Sequence, residues 1–406
     1  MNKPAFVFLT NQWPKDGGGG IGVASRFLRG VARHWPPSGR QACYAVLGDE
    51  CFPVSEPRDI DDLLSIARPV PRLRTIKWVR QALQISALLE QHQTVVVLAF
   101  SPFFAGSILG HLRRRIRVLQ TEHTTNGIHM EYLAEKGKRN LKFWAIRHAA
   151  LQNLATSDMA VFPSQRAADL FLENNPQVRA ALSGRARVAY SGIDDCLKTA
   201  TVPQARVPPE VKGSLRIVSI GHHVPIKRID VVLYALRSLL DKRPPVPAIS
   251  FVNFGGETEH TRRLRELTAA LGLEGTVQFR GLRPNSEVMA ALVEADLFLV
   301  VPELAAFDLA LLEAMAAAKP IITSRAGGNP EALGQAYPFY AETSEQVCAS
   351  LERMIGGWQG AVAIGRQNRE RFLRFFTIKA MVDRYWDLAS EAADFPSRSG
   401  VAVGPR

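Results

Sequence analysis

Short runs of apolar, β-branched residues at 5–10, 94–100, 117–122, 159–164 and 187–191 alternate with longer stretches whose apolar positions recur at helical spacing. This alternation predicts strand–helix–strand units. The rhythm breaks at TVPQARVPPEVKG, residues 201–213, and restarts with strand-like runs at 216–221, 249–255, 276–281, 297–302 and 320–324. The strand runs are continuously apolar rather than alternating, which predicts parallel sheets covered by helices on both faces. The expected fold class is therefore α/β, with two doubly wound Rossmann-like domains facing across a cleft. The expected boundaries are residues 1–200, a linker at 201–213, and residues 214–366. An amphipathic stretch at 367–390 is expected to be a helix packing back on the first domain, and 391–406 a flexible tail. In open α/β sheets ligands sit beyond the carboxyl ends of the strands, so the loops there are where chemistry is expected.

Composition narrows this picture. With 406 residues, 47% hydrophobic and 22% charged, the chain can bury a core in each domain, which excludes disorder and collagen-like repeats. No apolar run reaches the ~18 residues of a membrane span, and the amino terminus turns polar after its first strand, so a cytoplasmic protein without a secretory signal is expected. Cys43, Cys51, Cys196 and Cys348 are scattered without a CxxC spacing, as reduced packed thiols would be. The net charge of +12 is unevenly divided. Residues 1–200 carry 26 Lys and Arg against 16 Asp and Glu, a balance of +10, whereas residues 201–406 carry 24 against 22, a balance of +2. Two basic clusters stand out, one at Arg113, Arg114, Arg115 and Arg117, the other at Lys136, Lys138, Arg139, Lys142 and Arg147. The second is interleaved with Phe143 and Trp144, a mixture suited to the headgroup layer at the inner face of a membrane. No zinc-finger spacing or RNP-type aromatic block supports a nucleic-acid partner.

Three segments carry candidate chemistry. Gly17, Gly18, Gly19 and Gly20 follow the first strand and precede a helix. The match to GxGxxG is formal, because six residues separate the strand from the glycines and no acidic residue stands about 20 positions on. Such a loop still lets backbone N–H groups approach a phosphate or a sugar, so Gly19 and Gly20 are candidate ligand contacts. In SIGHHVPIKRIDVVLYAL a strand ends at Gly221, and Lys227 stands just before a helix, where a cation suits a diphosphate. The third segment is VPELAAFDLALLEAMAAAKPIITSRAGGNPEAL, residues 301–333. Glu313 lies there among Leu311, Leu312, Ala314 and Met315. A carboxylate in so apolar a helix needs a partner, and a ribose diol would supply two hydroxyl donors.

This third segment resembles the nucleotide-sugar-binding region of the retaining GT4 glycosyltransferases, which have the two-domain GT-B fold. Pro302, Phe307, Leu309, Glu313, Ala314, Met315, Ala316, Lys319, Pro320, Ile321, Gly327, Gly328 and Glu331 match the family pattern. The resemblance extends to TEHTTNG at 121–127, SDMAVFPSQRAADLF at 157–171, RVAYSGID at 187–194 and IGHHVPIKRID at 220–230. It implies hexosyl transfer from a nucleotide diphosphate sugar to a hydroxyl of a glycan or lipid-linked acceptor, with retention of configuration and without a metal or other cofactor. It also implies site roles. Glu313 would take the ribose; Lys227 and His222 would lie at the diphosphate; backbone N–H groups near Phe307, Asp308 and Leu309 would hold phosphates. His123 would face the acceptor.

Four positions depart from the family pattern, two of them where it has glycine and this chain has Ala306 and Asp308. Its first glutamate falls on Ala305, and the arginine of its G-R-L falls on His222, so Glu303 or Asp308 is a candidate for the missing carboxylate. A catalytically weakened partner of an active transferase, or a sugar-nucleotide epimerase or phosphorylase, is the alternative. His222 and His223, being adjacent on a strand, point to opposite sides and make a poor metal pair. Asp59-Ile60-Asp61, formally a DxD, sits at a helix-starting stretch and is expected to cap it.

Overall fold

A computed structural model describes residues 4–10, 19–36, 43–47, 50–54, 74–100, 115–197, 214–242 and 247–394. Gly17, Gly18, Asp59 to Asp61, Arg113, Arg114, the linker 201–213 and the residues after 394 lie outside the described residues. The chain divides into two compact units, the first made of Met1–Gly192 with Ile378–Arg406, the second of Ile193–Thr377.

The first unit is built on a seven-stranded sheet of β1 (Ala5–Thr10), β2 (Cys43–Leu47), β3 (Glu50–Pro53), β4 (Val95–Ala99), β5 (Ile116–Thr121), β6 (Met159–Phe162) and β7 (Ala186–Val188). Its order is β3-β2-β1-β4-β5-β6-β7. Every pairing is parallel except β2 with β3. The five strands expected from sequence are present, and the β2–β3 pair is an addition. Its short runs, CYAVL and ECFP, are too brief to stand out from the polar and proline-containing segments around them. Pro53 is tolerated because β3 is an edge strand.

All five residues of β4 are buried, as a central parallel strand covered on both faces requires. Below the sheet lies an aromatic nest. Phe6 and Phe8 of β1 meet Trp35 at 5.5 and 5.0 Å between ring centroids. Phe27, on the helix Gly19–His34, meets Phe100 at 4.3 Å.

The helix Ile378–Ala393 completes this nest. Its Trp386 stands 5.2 Å from Phe6 and 5.0 Å from Trp35, and its Tyr385 stands 4.7 Å from Phe27. The approach is close: a Cβ at Gly30 would fall 2.7 Å from Ile378 Cγ2. The single stretch expected at 367–390 is thus two helices, Trp358–Phe375 in the second unit and Ile378–Ala393 in the first. Phe376 leaves the helical region at φ −125°, ψ 16°, and its carbonyl accepts from Ile193 N–H at 3.0 Å. No glycine or proline marks this break, so FLRFFTIKAMV reads as one helix. The passage between units falls at Gly192–Ile193, ahead of the 201–213 segment.

The second unit is wound on a five-stranded, all-parallel sheet of β8 (Ser214–Ile220), β9 (Ala248–Phe254), β10 (Val277–Phe279), β11 (Leu297–Val300) and β12 (Ile321–Thr323). The order β10-β9-β8-β11-β12 means that the chain winds outward through β9 and β10, then returns to build β11 and β12 on the other side. The switch point, where an open α/β sheet presents a crevice, lies between β8 and β11. Lys319, buried before β12, is structural: its ammonium donates to the Val293 and Ala295 carbonyls, 2.7 Å each, at the end of the helix Asn285–Glu294. Among the described residues no helix is long and apolar enough to cross a membrane.

Candidate functional site

Beyond their carboxyl ends, β8 and β9 stay joined. Gly221 N–H donates to the Phe254 carbonyl at 2.8 Å and His223 N–H to the Gly256 carbonyl at 3.0 Å. Only glycine fits there: a Cβ on Gly255 would lie 1.9 Å from the Gly221 oxygen, and one on Gly256 would lie 2.5 Å from His222 Nδ1. His222 is exposed and accepts the Gly256 N–H on Nδ1 at 2.8 Å. In the neutral ring this leaves Nε2 as the donor. His223 turns the other way, fully buried between Thr261 Oγ1 (2.9 Å) and Asn253 Oδ1 (2.6 Å). Burial lowers its pKa, with Asn253 opposing. Gly255, Gly256 and this buried trio are not among the residues singled out from sequence, although the glycine pair directly after a strand run was a visible signal.

Lys227 closes the helical turn Pro225–Lys227 before the helix Ile229–Leu240. Its ammonium donates to Asp308 Oδ2 at 3.3 Å, joining the loop after β8 to the loop after β11. The same two loops are stitched by Glu303 N–H donating to the Ile226 carbonyl at 2.8 Å. Asp308 is buried and also caps the helix Leu309–Ala316, accepting from Ala310 N–H at 3.2 Å. Of the two carboxylates considered as replacements at the family's missing glutamate, Asp308 therefore meets Lys227. The Glu303 side chain is exposed.

The loop 302–308 is held from beneath by the turn after β12. Ser324 Oγ donates to the Pro302 carbonyl, and Gly328 N–H donates to the Ala306 carbonyl at 3.2 Å. Gly327 has φ +50°, and a Cβ there would lie 1.6 Å from the Ala305 oxygen. Both the left-handed conformation and the contact demand glycine. Phe307 packs against Phe376 at 5.8 Å, and Leu309 opens the helix.

Every residue from Ala310 to Ala316 is buried, Glu313 included. Glu313 stands five residues past the cap, about 7.5 Å along the axis. It adds to the effect of burial and of Asp195 in pushing the Cys196 thiol upward, which Arg369 opposes. Asp195 and Arg369 form a two-pronged pair, both bonds 2.9 Å, and the same guanidinium donates to the Ala316 carbonyl. The helix carrying Glu313 is thus secured at its start by Asp308 and Lys227 and at its end by Arg369 and Asp195. Asp195 and Arg369 are 174 positions apart, and nothing local in the sequence links them.

In the first unit, His123 follows β5, its ring stacked on Phe100 at 6.3 Å and 19°. Its Nε2 is buried without a hydrogen-bond partner among the described residues, and burial lowers its pKa to about 4. The ring is neutral at pH 7. The neighbouring Glu122 accepts from Thr124 N–H (2.9 Å) and Thr124 Oγ–H (2.7 Å). Gly19 and Gly20 are not part of a loop ahead of a helix but its first two residues. Four consecutive glycines read as a loop on propensity alone; here the amphipathic run that follows carries the helix back into them. Among the described residues no group of three or more His, Cys, Asp or Glu is placed to hold a metal ion.

Two Rossmann-like sheets, the second all parallel with paired loops at its switch point, have the architecture of the GT-B fold. Residues 203–370 match the family model described as Glycosyl transferases group 1. Among curated proteins it is similar to a D-inositol 3-phosphate glycosyltransferase of Corynebacterium efficiens, 26% identical over 247 residues, 59% of this chain and 57% of the relative. The chain thus matches a little over half the length of that protein. A putative colanic acid biosynthesis glycosyltransferase of Escherichia coli, WcaL, is 32% identical over 125 residues, 29% of each chain. In fold, the chain is similar to Anabaena Alr3699/HepE, solved with UDP and glucose, with a TM-score of 0.65 at 16% identity over 95% of this chain and 99% of that one.

Proposed function

We propose that the protein transfers a hexose from a nucleotide diphosphate sugar to a hydroxyl of a glycan or glycolipid acceptor, with retention and without a metal ion. The observation that carries this reading is the Lys227–Asp308 bridge across the β8/β11 switch point, framed by glycines whose backbones touch neighbouring loops. Cleavage of a sugar–phosphate bond leaves negative charge on the departing diphosphate, and preorganised cations and N–H dipoles lower the barrier for that step. Lys227 supplies the cation, shared with Asp308 until the diphosphate enters. His222 offers its Nε2–H, and the backbone N–H groups near Phe307, Asp308 and Leu309 supply a helix start. Glu313 takes the ribose. In the first unit, neutral His123 and the glycine-rich start of the helix Gly19–His34 serve the acceptor. The HepE complex with UDP and glucose supports a uridine-linked donor, and the WcaL similarity supports a polysaccharide acceptor.

Thermal-shift screening against UDP-, GDP- and ADP-linked sugars tests the donor, since a ligand at 100 times its Kd adds about 2.7 kcal/mol to apparent stability. Lys227→Ala is expected to cost about 100-fold in kcat/KM, and Glu313→Ala to abolish calorimetric donor binding. Unchanged affinity in both variants overturns these roles. Donor binding without turnover in any acceptor assay would favour the weakened-partner reading raised by Ala305 and His222.

A further inference from the structure

The two basic clusters of the first unit have different fates. In the first, Arg115 is spent on the fold, donating to the Leu89, His92 and Gln93 carbonyls at 2.7, 2.8 and 3.1 Å, and Arg117 is buried. In the second, Lys138, Arg139 and Lys142 are exposed, and Arg147 is half-buried. None of these four forms an ion pair with a described residue. From Gly137 to Ser157 the chain contains no Asp or Glu.

The helix Leu141–Thr156 makes this charge part of a fixed surface. Asn140 caps it, accepting from Phe143 N–H at 3.0 Å, and Asn140 Nδ2 donates to Tyr132 Oη at 3.1 Å. Phe143 is not the outward aromatic that its position among the cations suggested. It is buried, 5.7 Å from the His129 ring. The outward apolar groups are Leu141, 86% exposed, and Trp144, 49% exposed. They stand three residues apart on the face that also carries Ala145 and His148. Lys142 lies over the Tyr132 ring at 5.3 Å, Arg139 over Phe143 at 5.9 Å and Arg147 over Trp144 at 5.8 Å. The cations are thereby held beside the two apolar projections. Leu282, also widely exposed, has no such setting: the neighbouring Arg283 is paired with Glu287 at 3.6 Å.

We propose that this surface docks the protein on an anionic lipid bilayer. Leu141 and Trp144 enter the headgroup layer, while Lys138, Arg139, Lys142 and Arg147 face lipid phosphates. Charge complementarity selects the partner's sign, and the apolar pair selects a bilayer over a nucleic acid. A phosphodiester polymer would satisfy the cations but leave Leu141 nothing to bury against. The proposal does not rest on the transfer reaction.

The test is co-sedimentation of the full chain with vesicles of phosphatidylcholine alone and of phosphatidylcholine mixed with phosphatidylglycerol. Binding is expected only to the mixed vesicles and to weaken with salt as screening shortens. Each cation near the surface contributes about a fivefold factor in partitioning, so Lys142→Ala with Arg147→Ala should lower it about 25-fold. Leu141→Ser with Trp144→Ser should weaken binding at all salt concentrations, whereas Leu83→Ser, at another exposed site, should not. Insertion is read directly in the folded wild type: the emission lost in Trp144→Phe should shift to the blue when mixed vesicles are added. Equal binding to both vesicle types, unchanged binding in both double variants, or binding to single-stranded RNA without binding to vesicles overturns the proposal.

Discussion

The two units share a parallel sheet but treat the ends of their strands differently. In the second, the loops after β8, β9, β11 and β12 press backbone against backbone at Gly255 and Gly327 and bring Lys227 to Asp308. In the first, the strand ends lead into aromatic packing, with His123 stacked on Phe100 and Phe100 5.2 Å from Tyr385 of the last helix. One unit has its fine structure in positions that admit no Cβ; the other has it in large rings drawn from opposite ends of the chain. Substitutions should therefore hurt them by different physics, van der Waals loss in the first and backbone displacement in the second.

The largest expected effect is in the aromatic nest. Tyr385 is about 1% exposed, and Tyr385→Ala should destabilise the first unit by about 3–5 kcal/mol, measured by denaturant unfolding, while donor binding by the second persists. A loss under ~1 kcal/mol would mean that the last helix is not integral to that core. Acid should expose the same unit next. The folded state keeps His123 neutral down to about pH 4, whereas an unfolded histidine protonates near 6.5. Below 6.5 the unfolded state binds the extra proton, so stability is full above that pH and falls by about 1.4 kcal/mol per unit toward pH 4. His129, shifted the same way by burial and then by Arg147, adds to the slope. His123→Gln should flatten the unfolding free energy measured across that window; an unaltered slope would refute the assignment.

In the second unit, Gly327→Ala combines a left-handed backbone with a collision at Ala305, and should cost about 2–3 kcal/mol. Gly137→Ala is its control in the first unit. There φ is +67° with nothing near the added methyl, so about 1 kcal/mol is expected and the difference isolates the collision. The smallest effect is reserved for Asp308→Asn. Asparagine still caps the helix, so stability should change by less than about 1 kcal/mol, while Lys227 loses its charged partner and nucleotide diphosphate affinity should rise in calorimetry. A fall in affinity would instead assign Asp308 a direct part in holding the donor.

The contrast also explains what was legible in the sequence. Ten of the twelve strands among the described residues follow from continuous apolar runs, because a parallel sheet buried on both faces needs them. Lys227 and Glu313 stand out because a charge beside a strand end or inside an apolar helix demands a reason. Gly327 and Gly328 stand out because paired glycines at a loop are otherwise costly. The edge pair β2–β3 is too short to register. The break at Phe376 is set by a hydrogen bond to Ile193 and carries no glycine or proline. The Asp195–Arg369 clamp joins residues that only the folded chain makes neighbours. Gly19 and Gly20 misled because composition spoke for a loop where the following amphipathic helix prevailed.

The late position of the helix Ile378–Ala393 has a consequence for biosynthesis. A ribosome releases the seven strands of the amino-terminal sheet long before Tyr385 and Trp386. Through translation of the entire second unit, Phe6, Phe27 and Trp35 lack the rings that finally cover them. The half that is made first is thus the half whose core closes last, and a nascent chain stalled anywhere before residue 378 would carry an uncovered aromatic surface for chaperones to guard.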